Sequence, residues 1–301
     1  MPVLSSLFRK FATMKTTNHK GSLTLVPAGG LANRMRAVAS AYRLCLAVGS
    51  RLHVVWFRDW ALNAPFADIF EPIAAPGIDL REAGVADAIV NGRPRRRNLW
   101  LPALPQALAY QRRIYEKSVT PLKQRGFDFE AWAAGRRCYM SCYQEFGEYP
   151  DDTYRLLFRP VASVMRSVEA NAGLFADYTI GMHIRRTDHG EATAQSPTSL
   201  FIEAGRRELA AHPGLKIFLA TDDQGVKAEL TAEFGSRVIT AAAAASRSSA
   251  DGIRGGLADM YTLARTQRIY GSAGSSFSPM AARIGGVEMI EVRAGRVREQ
   301  C

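Results

Sequence analysis

The sequence predicts an α/β protein built of two Rossmann-like domains facing a cleft. Three observations carry this. Apolar runs of strand length alternate with helical segments through the second half, a strand-helix-strand unit opens the chain, and polar clusters fall at the carboxyl ends of the strands. In open parallel sheets a ligand sits beyond those strand ends.

The opening unit begins with LTLVPA (23–28), which meets the pair Gly29-Gly30. A helical pattern follows from Leu31 to Val48, with Leu31, Met35, Val38, Ala41, Leu44 and Cys45 on one face, and Gly49 stops it. RLHVVWF (51–57) completes a β-α-β unit, and PFADIFEP (65–72) reads as a short helix and turn. Residues 73–150, rich in Pro, Arg and aromatics with the cluster GRPRRRN, show no periodicity that fixes regular elements. Residues 151–174 read as helical on both sides of Pro160, which breaks the run.

The second half supplies five strands: 179–186, 215–223, 237–240, 268–273 and 287–292. Helices at 199–212, 225–235, 257–267 and 276–286 connect them, while 241–256 (AAAAASRSSADGIRGG) reads as a loose loop. Expected domain limits are 21–160 and 161–301, behind a disordered leader at 1–20 whose alternative start is Met14.

Composition sets bounds. Of 301 residues, 47% are apolar and 22% charged, ordinary globular usage with room for a sizeable core. The net charge is +11, carried mainly by Arg, which suits phosphate recognition and permits peripheral contact with an anionic membrane; codon bias explains it equally well. No apolar run approaches the ~20 residues of a membrane span, and the first residues lack a secretory apolar region. A cytoplasmic location is expected, at most peripheral to the inner membrane. Cys45, Cys138, Cys142 and Cys301 form no zinc spacing with the five histidines and read as free thiols. Without a helix-turn-helix, zinc or RNP signature, no nucleic-acid partner is expected.

Four clusters carry chemistry. His183, Arg185, Arg186, Thr187 and Asp188 end a strand, with His183 and Arg185 on one face and Arg186 on the other. Guanidinium forks there suit a diphosphate leaving group; the plainer reading is solvated arginines paired to Asp188. Asp222-Asp223 closes KIFLATDD, and three readings stay open: acceptor for the N–H groups of guanine, metal ligand, or, at Asp222, helix cap. The turn around Ser275, Ser276 and Phe277 opens a helix whose N-terminus attracts anions, or is simply capped. Gly29-Gly30-Leu31-Ala32-Asn33-Arg34 permits close backbone approach but is not a dinucleotide fingerprint.

Together HIRRTD (183–188), FLATDD (218–223), GSAGSSFSPMAARIGG (271–286) and the opening GGLANR (29–34) resemble motifs of the fucosyltransferase superfamily, spanning about residues 25 to 290. The resemblance implies a GT-B-like fold in a bacterial enzyme of polysaccharide biosynthesis. It implies inverting transfer from a GDP-sugar, GDP-fucose above all, to a glycan or glycolipid acceptor, without metal or other cofactor. On that reading the first domain is the acceptor side and the second binds the donor. Arg185 contacts the β-phosphate, Arg186 assists at the nucleotide, and His183 and Asp223 hold the nucleoside with Asp222 beside them. Ser275, Ser276 and Phe277 surround phosphates and base, and Asn33, with Gly29 and Gly30, lies near the diphosphate or acceptor. Asp188, His189 and Glu191 are candidate bases. His189 follows RRTD where several α1,6 enzymes carry Lys, and Arg34 stands where Gln is common. Another nucleotide sugar is the alternative donor, and a basic nucleic-acid-binding protein the alternative class.

Overall fold

The computed structural model describes residues 20–186, 194–241 and 249–294. The leader up to His19, the candidate bases Asp188, His189 and Glu191, and Cys301 lie outside the described residues. The chain forms two compact units. Of the described residues, one unit comprises those up to Pro27, Arg36–Trp56 and Ala75–Tyr149; the other comprises Ala28–Met35, Phe57–Ala74 and those from Pro150 on.

In the first unit, strands β1 (Ser22–Pro27), β2 (Arg51–Trp56), β3 (Ile78–Glu82), β4 (Arg112–Ile114) and β5 (Arg137–Cys142) form one sheet in the order β3-β2-β1-β5-β4. Every pairing is parallel. β1 and β5 lie between other strands, and after its first residue each is almost wholly buried. The helix Leu31–Ala47 buries Met35, Val38, Ala41, Leu44 and Cys45 as its spacing predicts, while Leu31, at its first position, is only partly buried. It also buries Ala37, Ala39 and Tyr42, so its apolar contact is wider than one stripe. The middle segment that showed no periodicity does hold regular elements, strands of three to six residues and helices of four to nine. Such short pieces give a hydrophobic period little length in which to register.

The second unit holds β6 (Thr179–Ile184), β7 (Lys216–Thr221), β8 (Val238–Thr240), β9 (Arg268–Ser272) and β10 (Glu288–Val292). Their order is β10-β9-β6-β7-β8, parallel throughout. Order reverses between β6 and β9, the topological switch point at which doubly wound sheets take ligands.

Alternation along β6 fixes what faces where. Ile180, Met182 and Ile184 join Phe201, Leu219, Leu230 and Phe234 in a core under the helices Thr198–Ala211 and Gln224–Phe234. The intervening Gly181 lies against the helix Ala250–Leu263, where an added Cβ would come 2.6 Å from a Leu263 methyl. His183 follows on that same face.

The helix Ala250–Leu263 corrects the expected loop over 241–256. From Ala250 on that stretch is helical, despite Gly252, Gly255 and Gly256. The Ser249 hydroxyl caps it by accepting from the Gly252 N–H at 3.1 Å, and Ile253 and Leu257 are buried. Tertiary burial outweighs the glycine propensity cost of ~1 kcal/mol each. Residues 242–248 of that stretch lie outside the described residues. The expected break at Pro160 separates the helices Asp152–Leu157 and Ala162–Ala172. Cys45, Cys138 and Cys142 are buried free thiols.

Candidate functional site at the switch point

His183, Arg185 and Arg186 stand at the carboxyl end of β6, between the ends of β7 and β9. The Arg185 N–H donates to the Ser272 hydroxyl at the end of β9, at 3.1 Å. On the other side the Arg186 N–H donates to Asp222 Oδ1 at 3.0 Å, and the Thr221 hydroxyl donates to the Ile184 carbonyl at 2.7 Å. Three parallel strand ends are thereby tied edge to edge, and the backbone that presents the arginines is held from both sides.

The two guanidiniums go different ways. Arg185 Nη1 lies 4.0 Å from Asp222 Oδ2, both side chains largely shielded. Arg186 donates instead to its neighbour's carbonyl, at 3.0 Å, and to the Thr198 hydroxyl, at 2.9 Å. Burial pulls Arg186 below the usual arginine range, opposed by Asp223 and Asp222.

His183 is buried. Its Nδ1 lies 2.7 Å from the Ser278 hydroxyl, and its ring stacks on Phe277 at 4.6 Å between centroids. Burial, and then the Arg185 cation, lower its pKa to about 3, with Asp222 opposing. The imidazole is therefore neutral at ordinary pH, a rigid hydrogen-bonding plate and not a charge. Gly271 makes this packing possible, since a Cβ there would meet the Ser278 hydroxyl at 2.4 Å.

After β9 the chain turns through Gly274, whose φ of +70° favours glycine, into the helix Phe277–Gly285. Ser275 Oγ accepts from the Phe277 N–H at 3.2 Å, while Ser276, the N-cap residue, makes no side-chain cap. A helix N-terminus after β9 and an arginine at the end of β6 thus stand at the two strand ends that flank the switch point, residue types that suit a phosphate-bearing ligand.

The cap reading of Asp222-Asp223 is decided here. Asp222 binds the β6 end as described. The cap falls on Asp223 and not on Asp222: Asp223 Oδ1 accepts from the Val226 N–H at 2.9 Å, opening the helix Gln224–Phe234. One carboxylate oxygen of Asp223 is thereby committed to the fold. Among the described residues no three His, Cys, Asp or Glu side chains converge in a group that could hold a metal.

Gly29, Gly30 and Asn33 form a second cluster after β1. Gly29 has a φ of +78°, and a Cβ there would come 3.0 Å from the Asn33 amide nitrogen. The cluster is organised by Arg34, which is fully buried. Its guanidinium donates to the Gly29 carbonyl at 2.9 Å, to the Phe57 carbonyl, and to Asp59 Oδ1 at 2.9 Å. Asp59 Oδ1 in turn accepts from the N–H groups of Ala61 and Leu62. Sequence reasoning noted Arg34 only as a departure from a motif. It also passed over Thr198, which holds Arg186, and it took Ser272 and Ser278 as part of the small-residue turn before the helix and not as the partners of Arg185 and His183 that they are. Gly271, a small residue in an apolar strand, was the available signal for close packing at Ser278.

No protein-family profile matches the chain, and no curated protein matches it. Solved structures do. Fucosyltransferase NodZ from Bradyrhizobium matches at 18% identity over 86% of this chain and 92% of that one, TM-score 0.61. FUT1 of Arabidopsis thaliana, in complex with GDP, matches at 14% identity over 96% and 74%, TM-score 0.59. POFUT1 in complex with GDP-fucose matches at 11% identity over 92% and 99%, TM-score 0.57. The likeness establishes the fold, the GT-B-like α/β architecture expected from the sequence.

Proposed function

We propose that the chain is an inverting, metal-independent glycosyltransferase that takes its sugar from a GDP-sugar, fucose foremost, and passes it to a glycan or glycolipid. The observation that carries this reading is Arg185, whose backbone N–H is tied at the switch point to Ser272, at the end of the strand that leads into the helix Phe277–Gly285. It gains support from the shared fold, because the similar structures include fucosyltransferases solved with GDP or GDP-fucose. The proposed setting is bacterial polysaccharide synthesis at the cytoplasmic side. Among the described residues no helix is long and apolar enough to cross a membrane.

In the proposed reaction the bond between the sugar's anomeric carbon and the β-phosphate oxygen breaks as the acceptor oxygen bonds to the opposite face. The electron pair of the broken bond stays on the diphosphate. The acceptor's proton goes to a base, for which Asp188, His189 and Glu191 are the candidates. Arg185 and the helix N–H groups meet the charge that grows on the leaving oxygen, so they stabilise the transition state more than the bound donor. His183 and Phe277, neutral and stacked, offer the nucleoside a rigid wall, with Ser275 and Ser276 at the phosphates. Asp223, through the oxygen not used in its cap, accepts from guanine, and Arg186 keeps the strand end in place. Asn33, on the Gly29-Gly30 turn, contacts the diphosphate or the acceptor.

Calorimetry with GDP, UDP, ADP and CMP in the presence of EDTA tests the donor assignment. GDP is expected to bind, and to bind best. Affinity lost in EDTA and restored by Mn²⁺, or a preference for UDP, would overturn it. A panel of GDP-sugars then decides between fucose and another sugar.

A further inference from the structure

An inverted pattern marks the first unit. The helix Ala103–Ala109 buries its glutamine and exposes its leucines: Gln106 Nε2 donates to the Gly92 carbonyl at 2.8 Å, while Leu104 and Leu108, four residues apart, are 72% and 81% exposed. The neighbouring short helix Asp87–Val90 does the same, burying Asp87 and exposing Ile89. The Tyr110 hydroxyl donates to Asn91 Oδ1 at 2.7 Å and Gln106 grips Gly92, so the two helices are pinned side by side. Between them a turn places Leu99, Trp100 and Leu101 outward, each more than half exposed.

That turn is built to hold this shape. The Arg95 N–H donates to Asn98 Oδ1 at 2.8 Å, Asn98 Nδ2 donates to the Arg93 carbonyl at 2.9 Å, and the Trp100 N–H donates to the Arg95 carbonyl at 3.1 Å. Leu99 and Trp100 both have left-handed backbones, with φ of 49° and 59°. Bulky side chains rarely adopt that conformation. Strain of this kind persists only where the surroundings impose it, and here its result is an apolar tip in solvent.

Charge frames the tip. Arg93 and Arg95 share the one carboxylate of Glu116, each at 3.0 Å. Arg96 and Arg97, adjacent to Leu99, are exposed and have no ion-pair partner among the described residues. We propose that this face, the turn with Leu104 and Leu108, is the docking surface for an anionic phospholipid bilayer. Trp and Leu enter the headgroup boundary while Arg96 and Arg97 meet the lipid phosphates. Trp favours that boundary, and basic residues beside an apolar tip add electrostatic attraction to it. A second copy of the chain fits less well, because a self-paired face would set the same arginines together in a protein of net charge +11. The inference does not depend on the transferase reading.

The full chain is mixed with vesicles of phosphatidylcholine and phosphatidylserine, or of phosphatidylcholine alone, and sedimented. Binding to the anionic vesicles is expected, weakened by raised salt. Replacing Arg96 and Arg97 together by Ala should lower partitioning about thirtyfold, from the usual contribution of a basic residue near an anionic surface. The pair Leu104→Glu and Leu108→Glu should abolish it. Both leucines are exposed, so the fold should survive, and circular dichroism checks that it does. Brominated acyl chains should quench tryptophan fluorescence in the unaltered protein and in Trp60→Phe, but not in Trp100→Phe. Failure to sediment with anionic vesicles, or undiminished binding by these variants, overturns the proposal. So does a concentration-dependent dimer that the leucine pair dissociates, since that would make the face a protein interface.

Discussion

Replacing Arg185 by Lys separates charge from geometry at the proposed leaving-group site. Lys keeps the positive charge near Asp222 and leaves the backbone bond to Ser272 intact, so the strand end should keep its place. What disappears is the planar fork, and with it one charge-assisted hydrogen bond to the diphosphate. Such a bond contributes about 1.5–3 kcal/mol, which corresponds to a turnover loss on the order of ten- to a hundredfold. Arg185→Ala, which removes the charge as well, should lose on the order of 10²–10³. The assay is GDP release from GDP-fucose in the presence of acceptor, with kcat and KM measured separately and melting followed by circular dichroism. The loss should lie in kcat, because the interaction strengthens as the bond breaks. Arg186→Lys should lose less, since the Arg186 guanidinium is engaged with Thr198 and a backbone carbonyl. If Arg185 is no more than the partner of Asp222, Arg185→Lys will be nearly silent, within ~1 kcal/mol. That result would remove the central residue of the mechanism, and a pure KM effect would move Arg185 from catalysis to ground-state binding.

Asp223→Asn should keep the helix cap, since Asn caps as well as Asp, yet weaken GDP by about 1–3 kcal/mol; Asp223→Ala should lose both. Unchanged GDP affinity in the Asn variant would dismiss the guanine role. Asp259 is buried, its Oδ1 has no hydrogen-bond partner among the described residues, and burial raises its pKa to about 7 against the pull of Lys227. The folded state then holds a proton that the unfolded chain loses near pH 4, so this group makes stability fall between about pH 4 and 7, by at most ~1.4 kcal/mol per unit. Asp259→Asn should gain on the original protein across that window, and urea titrations showing a pH-independent difference would refute the assignment. Arg34→Met should cost about 3–5 kcal/mol, because it strands Asp59 and the carbonyls of Gly29 and Phe57; a loss under ~1 kcal/mol in denaturant melts would mean the loop re-forms without it.

The second half was legible because its elements are long and locally consistent. The apolar strands β6, β7 and β9 each end in a polar cluster, with periodic helices between them, so periodicity and punctuation agreed on their positions. The motif HIRRTD likewise announced a strand-end cluster of cations. The first half was legible only in its opening β-α-β unit and in the short helical turn that follows it, observed at Phe66–Asp68. β5, the partner of β1, is buried on both faces and therefore carries no alternation to read. Residues 250–256 misled for the opposite reason: three glycines signal a loop locally, while burial of Ile253 and Leu257 holds them helical.

From its sequence alone the protein's α/β class, its parallel second sheet and the residue types of its switch-point cluster could be determined, because hydrophobic period and strand-end polarity are local properties. Only the tertiary structure decided what those residues do to one another. It gave the cap to Asp223 and the strand-end bond to Asp222, two neighbours that spacing treats alike. It turned His183 into a neutral plate, because burial and a cation outweigh an acid, and none of the three is adjacent in a way the sequence weighs. It buried Gln106 and exposed Leu104 and Leu108, since a seven-residue helix takes its orientation from the partners that pin it and not from its own composition.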